Sequence, residues 1–182
     1  TSDELLNAAK VKIYMGDFSG LVREYVYSKA PETIYLPADE YRVDVIAGEA
    51  AKDAPATASW EQKSYKGSKN FTVAAGKDTQ VQVEATVSNV VSKISFDSTV
   101  AENFAEGFTF KIGPDSESSL VYDASKSGSE GYFIIDGLDE PELVWTFSGK
   151  LAKDGSAFTK SGSIPSVEAG KVYSMNVKYT VK

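Results

Sequence analysis

Val172-Tyr173-Ser174-Met175-Asn176-Val177-Lys178-Tyr179-Thr180-Val181 alternates from residue to residue, with Tyr173, Met175, Val177, Tyr179 and Val181 on one side and Ser174, Asn176, Lys178 and Thr180 on the other. Period two is the pattern of a strand that buries one face and wets the other. Thr79 to Val87 repeats it, with Val81, Val83, Ala85 and Val87 opposite Gln80, Gln82, Glu84 and Thr86. Both stretches read as antiparallel-type strands with one solvated face. Shorter apolar runs extend the reading to Val11–Met15, Leu21–Tyr27, Thr33–Leu36, Tyr41–Ala47, Val90–Phe96, Phe108–Ile112, Leu120–Tyr122, Tyr132–Ile135 and Leu143–Ser148.

Turn chemistry separates these runs. Ala30-Pro31, Leu36-Pro37-Ala38-Asp39, Tyr65-Lys66-Gly67-Ser68, Ala75-Gly76-Lys77-Asp78, Ile112-Gly113-Pro114-Asp115, Asp136-Gly137 and Asp154-Gly155 read as breaks between strands. Helical pattern is confined to Thr1-x-x-Glu4 ahead of Leu5 and Leu6, a capping-box arrangement. The fold class expected is therefore all-β.

The two halves resemble each other. Val73-Ala74-Ala75-Gly76-Lys77 matches Val167-Glu168-Ala169-Gly170-Lys171, and the same offset pairs Val83 with Val177, Thr86 with Thr180 and Val87 with Val181. A tandem duplication would place a boundary near Ser88-Asn89, giving domains 1–88 and 89–182 of ordinary sandwich size.

Composition restricts the chemistry. The 182 residues carry 19 basic and 26 acidic side chains, for a net charge of −7, with neither histidine nor cysteine. An acidic surface repels phosphate backbones, so nucleic acid is not an expected partner. Without His or Cys, Ser-His-Asp and Cys-His catalysis, Cys/His zinc sites, haem ligation and thiol redox chemistry all drop out. Carboxylate-pair hydrolysis could draw on Asp39, Glu40, Asp136, Asp139 and Glu140, but these stand in turn clusters where acids serve the backbone and solubility. Asp115, Glu117 and Asp123 carry oxygen ligands suited to calcium without the spacing of an Asp-x-Asp-x-Asp-Gly loop. No catalytic, metal or cofactor residue is assigned, and the chain is expected not to be an enzyme. Aromatics remain for recognition: Trp60, in a polar segment ahead of Tyr65, could stack on a sugar face or plug its own core, while Trp145 is in phase with Leu143 and Phe147.

Ile34-Tyr35-Leu36-Pro37-Ala38, Tyr41-Arg42-Val43, Ala47-Gly48, Tyr65-Lys66-Gly67, Phe71-Thr72-Val73-Ala74-Ala75-Gly76 and Val87-Ser88-Asn89-Val90 succeed one another in an order that resembles an uncharacterised family of Bacteroidetes surface lipoproteins. That family in turn is similar to fimbrillin and minor-fimbrium proteins. The resemblance implies two tandem antiparallel β-sandwich domains of transthyretin-like type, an N-terminal lipid anchor upstream of Thr1, and residence on the extracellular face of the outer membrane. It also implies a role as fimbrial subunit, anchor or adhesin. Cleavage after an arginine near the first strand would fall at Arg23, and an O-glycosylation acceptor of the Asp-Ser-Thr kind at Ser98.

The function expected is that of a non-enzymatic cell-surface structural or adhesive protein, assembling with copies of itself or binding a protein partner by strand addition at sheet edges. Val11–Met15 and Val172–Val181 are the segments expected to supply those edges. The alternative is a glycan-binding module of a surface polysaccharide-uptake system, centred on Trp60 and Tyr65.

Overall fold

The computed structural model of the chain describes residues 1–17 and 19–181. In chain order the elements are α1 (Ser2–Asn7), β1 (Lys10–Met15), β2 (Leu21–Val26), β3 (Asp39–Gly48), β4 (Ala58–Ser59), β5 (Ser64–Val73), β6 (Thr86–Val87), β7 (Val90–Phe96), α2 (Ser98–Asn103), β8 (Phe108–Gly113), β9 (Leu120–Tyr122), β10 (Glu130–Phe133), β11 (Leu143–Lys150), β12 (Ala157–Ile164) and β13 (Val172–Val177). The protein is all-β, with two short α-helices and three single-turn 3-10 helices among the described residues. It divides into two compact units: Thr1–Pro55 with Lys63–Ser88, and Ala56–Gln62 with the chain from Asn89 onward.

The first unit opens on α1, where the Thr1 hydroxyl accepts from the Glu4 amide and the Glu4 carboxylate accepts from the Thr1 amino group, the reciprocal pair of a capping box. Its sheet has the order β2-β1-β3-β5-β6 and is antiparallel throughout. Ile13, Tyr41 and Val43 are buried on one face, and Val11, Val22, Ile34, Leu36, Phe71, Val73 and Val83 pack around them. Tyr41 stacks on Phe71 with ring centroids 5.6 Å apart and donates its hydroxyl to the Pro37 carbonyl at 2.7 Å. On the other face Arg42 grips Asp44 at 2.9 Å, Ser68 donates to Asp44 at 2.7 Å, and the Arg42 guanidinium lies 4.8 Å over the Tyr14 ring.

Several sequence expectations are corrected here. Thr33–Leu36 is not a strand; Ile34 and Leu36 reach the core from an irregular segment. Of Thr79–Val87, only Thr86 and Val87 pair, as β6 against β5. The alternation is real in that Val83 faces the core, but the chain passes so close over β5 that a Cβ at Gly67 would collide with the Glu84 carbonyl. Gly67 is thus a close-approach glycine inside a ten-residue strand rather than a strand breaker, which is why the Tyr65–Ser68 turn expected from sequence is replaced by β5.

The second unit holds two four-stranded sheets, ordered β13-β7-β10-β4 and β12-β11-β8-β9. They share one core: Val90, Ile94 and Phe133 from the first, Phe108, Phe110, Ile112, Leu120, Tyr122, Leu143 and Phe147 from the second, closed by Val100, Phe104 and Val167. Phe104 is the aromatic hub, 5.0 Å from Phe147, 5.6 Å from Phe158 and 5.1 Å from Tyr179 by ring centroid. The buried Tyr122 hydroxyl sits 2.8 Å from Ser92 Oγ and donates to the Ser129 carbonyl at 2.9 Å. Burial pushes the Tyr122 phenol above its ordinary pKa. Every pairing in these sheets is antiparallel except one, β13 against β7, which runs parallel and corrects the antiparallel expectation for the C-terminal strand.

Candidate functional site

The terminal strand is launched by a tight turn. The Lys171 amide donates to the Glu168 carbonyl at 3.3 Å, with Gly170 at φ 80° in the left-handed region that glycine adopts freely. The matching segment Ala74–Lys77 makes the same bond at 3.2 Å with Gly76 at φ 69°, so the turn shared between the halves in sequence is shared in structure. The strands beyond the two turns differ: the first turn leads to two paired residues and the second to six in parallel register, Val172 beside Val91 through Val177 beside Phe96. The Glu168–Lys171 ion pair spans the second turn, and the Gly170 amide ties it to the Asn89 carbonyl at 2.7 Å.

The backbone of β13 has two distinct edges. The Val91 amide donates to the Lys171 carbonyl at 3.0 Å and the Asp97 amide to the Val177 carbonyl at 2.9 Å. In an extended parallel strand, the N–H and C=O of one residue point the same way and alternate from residue to residue. Residues 171, 173, 175 and 177 therefore turn toward β7, while Val172, Ser174 and Asn176 turn their donors and acceptors outward. The strand ends its sheet, and its outer edge faces no further strand among the described residues. Tyr173, Met175 and Val177 pack against the core, whereas Val172, Ser174 and Asn176 are exposed. Tyr179 anchors the tail: its ring joins the Phe104 and Phe158 cluster, and its amide donates to Thr99 Oγ1 at 3.0 Å.

The other predicted edge segment is corrected. Val11–Met15 lies within β1, hydrogen-bonded to β2 on one side and β3 on the other, so it offers no open edge.

Trp60 belongs to the second unit and Tyr65 to the first. Trp60 is half-buried just after β4, edge-on to Tyr122 at 4.7 Å, with Lys126 Nζ 4.8 Å from the ring centroid. Tyr65 is half-buried in β5, between Ala47 and Val87. Arg23 stands in β2, where its guanidinium donates to the Val22 carbonyl at 2.8 Å and to the Tyr35 carbonyl at 3.4 Å. Ser98 is exposed at the first position of α2, directly after the capping residue Asp97.

Two of the acids with calcium-type oxygen ligands are engaged with nearby backbone. Asp115 accepts from the amides of Glu117 and Ser118 at 2.9 and 2.8 Å, and Asp123 accepts from the hydroxyl and amide of Ser125 at 2.5 and 2.9 Å. Among the described residues no three acidic, His or Cys side chains are grouped to hold a metal ion. Hydrogen bonds hold several of these carboxyls below the ordinary range: the Thr99 amide for Asp97, the Ser125 hydroxyl for Asp123 and the Ser156 hydroxyl for Asp154. One surface feature has no counterpart in the sequence pattern, a shallow depression on the second sheet of this unit lined by Glu106, Thr109, Asp123, Ser148, Lys150 and Thr159. Thr109, Ser148 and Thr159 stand opposite one another across three strands, a register that becomes visible only when the pairing is known.

Among solved structures, the chain is similar to a candidate polysaccharide-binding protein (DUF1812) from Bacteroides thetaiotaomicron, with 10% identity and TM-score 0.45 over 82% of this chain and 69% of that one. A candidate adhesin from Bacteroides ovatus aligns at 10% identity and TM-score 0.37, covering 98% and 85% of the two chains. A candidate cell-adhesion protein from Bacteroides fragilis aligns at 10% identity and TM-score 0.35, covering 96% and 82%. No curated protein sequence matches. The model of the family described as "Domain of unknown function (DUF4493)" matches residues 1–182, and the chain belongs to that family.

Proposed function

We propose that this chain is a non-enzymatic cell-surface protein of structural or adhesive role that binds a protein partner, or assembles, by accepting an extended strand at a sheet edge. The observation that carries the reading is the outer edge of β13, where Val172, Ser174 and Asn176 present unpaired directions of the backbone on a strand whose inward side chains are fixed in the core. Main-chain hydrogen bonds supply affinity in such recognition, and alternate side-chain positions supply selectivity. The finer expectations belong with this reading: two tandem modules, 1–88 and 89–182, of the transthyretin-like sandwich kind; kinship with fimbrillins; and an outer-membrane lipid anchor upstream. Processing at Arg23 and glycosylation at Ser98 belong with it too. Both residues are exposed, Ser98 at the start of α2 and Arg23 in a paired strand.

The second reading, glycan binding, is favoured by the partly open indole of Trp60. One titration separates the two. A fluorescent peptide of sequence Val-Tyr-Ser-Met-Asn-Val-Lys, added to the whole chain, should gain anisotropy on strand addition, and a panel of neutral oligosaccharides should leave tryptophan emission unchanged. Quenching by an oligosaccharide with no peptide binding would reverse the assignment.

A further inference from the structure

Sheet edges invite association, and proteins protect them with shortness, charge, proline or bulges. The six edge strands among the described residues differ in this respect. β4 and β6 are two residues long and β9 is three. β2 carries Arg23 and Glu24 and a register shift against β1 between Ile13 and Tyr14. β12 is long, but Lys160 stands opposite Phe147, on the core-facing side of the sheet, and places an exposed ammonium at the middle of the strand. β13 alone among them has six residues with no charge, no proline and an unbroken register.

Its sequence also complements itself. Antiparallel pairing of two copies about Met175 sets Met175 opposite Met175 of the other copy, Tyr173 opposite Val177, and Ser174 opposite Asn176. Each pair then joins residues of one face, apolar with apolar and polar with polar, as cross-strand packing requires. The backbone agrees. Ser174 and Asn176 already turn their N–H and C=O groups outward, so the two Ser174–Asn176 pairs become hydrogen-bonded pairs, each exchanging both bonds. Met175 turns its groups inward and forms the non-hydrogen-bonded pair on the two-fold axis. A register shifted by one residue would set Tyr173 against Asn176 and lose this match.

We infer that the outer edge of β13 is an isologous interface that takes β13 of a second copy of this chain, joining two four-stranded sheets into one of eight strands. This rests on the strand-addition reading and names both the edge and the partner. A strip of this length belongs to the small class of interfaces, under about 1,200 Å², so association is expected to be weak and concentration-dependent.

The test uses the whole chain in light scattering across a concentration series, with cross-linking to trap the pair. The protein has no cysteine, so Met175→Cys introduces a single thiol. The paired Cα atoms of a non-hydrogen-bonded position lie about 4.5 Å apart, within disulfide reach. Oxidised Met175→Cys should run as a covalent dimer. Ser174→Pro removes an outward N–H without touching the β7 ladder, and Ser174→Lys with Asn176→Lys places like charges opposite each other at exposed positions; both should shift the chain to monomer while circular dichroism is unchanged. A chain that stays monomeric at all concentrations and gives no Met175→Cys dimer overturns the pairing, as does a dimer indifferent to both edge variants. The heptapeptide titration judges strand addition independently, since a monomeric chain that still binds the peptide loses only the self-pairing.

Discussion

Trp60→Ala decides whether the half-buried indole is a strut of the second unit or a platform for a ligand. The ring makes an edge-on contact with Tyr122 at 4.7 Å and an interplanar angle of 81°, worth about 0.5–1.5 kcal/mol beyond area burial. Lys126 over its face adds about 0.5–1 kcal/mol. The partial burial against the core brings the expected loss to about 2 kcal/mol, below the roughly 3–5 kcal/mol of a fully buried Trp→Ala because part of the ring is open to water. For a chain of this size that corresponds to a Tm lowered by about 4–8 °C. Thermal unfolding by near-ultraviolet circular dichroism reads it, with Trp145, stacked on Phe110 at 5.2 Å, as the remaining indole reporter. Trp60→Phe should recover most of the loss. An unchanged Tm together with abolished oligosaccharide binding would refute the strut and reinstate the platform.

Three further outcomes are expected. Tyr122→Phe should cost about 1–3 kcal/mol in urea denaturation, because the part-buried Ser129 carbonyl loses its donor and the buried Ser92 hydroxyl loses its partner; combined with Ser92→Ala it should cost less than the sum of the two. Asp97, Asp123 and Asp154 are held below their ordinary pKa by hydrogen bonds, so the stability they confer is complete above the unfolded carboxylate range and disappears as pH falls through the lowered values; the urea midpoint should drop between about pH 5 and strongly acidic buffer. Lys160→Ile removes the charge that protects β12 and should create a second association, detectable by light scattering and persisting when Ser174→Pro is added.

Much of this architecture is legible in the residues. The C-terminal alternation sends Tyr173, Met175 and Val177 inward because side-chain phase is set by the pleat whatever the neighbour. The direction of that neighbour is not written there: phase is the same in parallel and antiparallel ladders, so the parallel pairing with β7 has no local signal. Gly67 misleads because a glycine serving close approach looks like a turn glycine until the crossing chain at Glu84 is seen. β12 escapes a reading by pattern for a related reason, since Ala-Phe-Thr-Lys-Ser-Gly-Ser-Ile carries a lysine and a glycine where strand patterns carry apolar residues. In the structure Gly162 makes room for Trp145, whose ring a Cβ there would meet at 2.6 Å, and Lys160 guards the edge. The candidate site is half readable: the strand can be named, but which of its backbone groups are spent on β7 depends on a register fixed by Val91, Asp97 and the Glu168–Lys171 turn.

Residue-resolved amide exchange on β13 tests strand addition most directly. The amides of Tyr173, Met175 and Val177, committed to β7, should exchange slowly under all conditions, whereas those of Val172, Ser174 and Asn176 should exchange fast in dilute chain and slow down when the chain is concentrated or the heptapeptide is added. Outward amides that stay fast in both cases, or that are as protected in dilute chain as the inward ones, would contradict an open edge waiting for a strand.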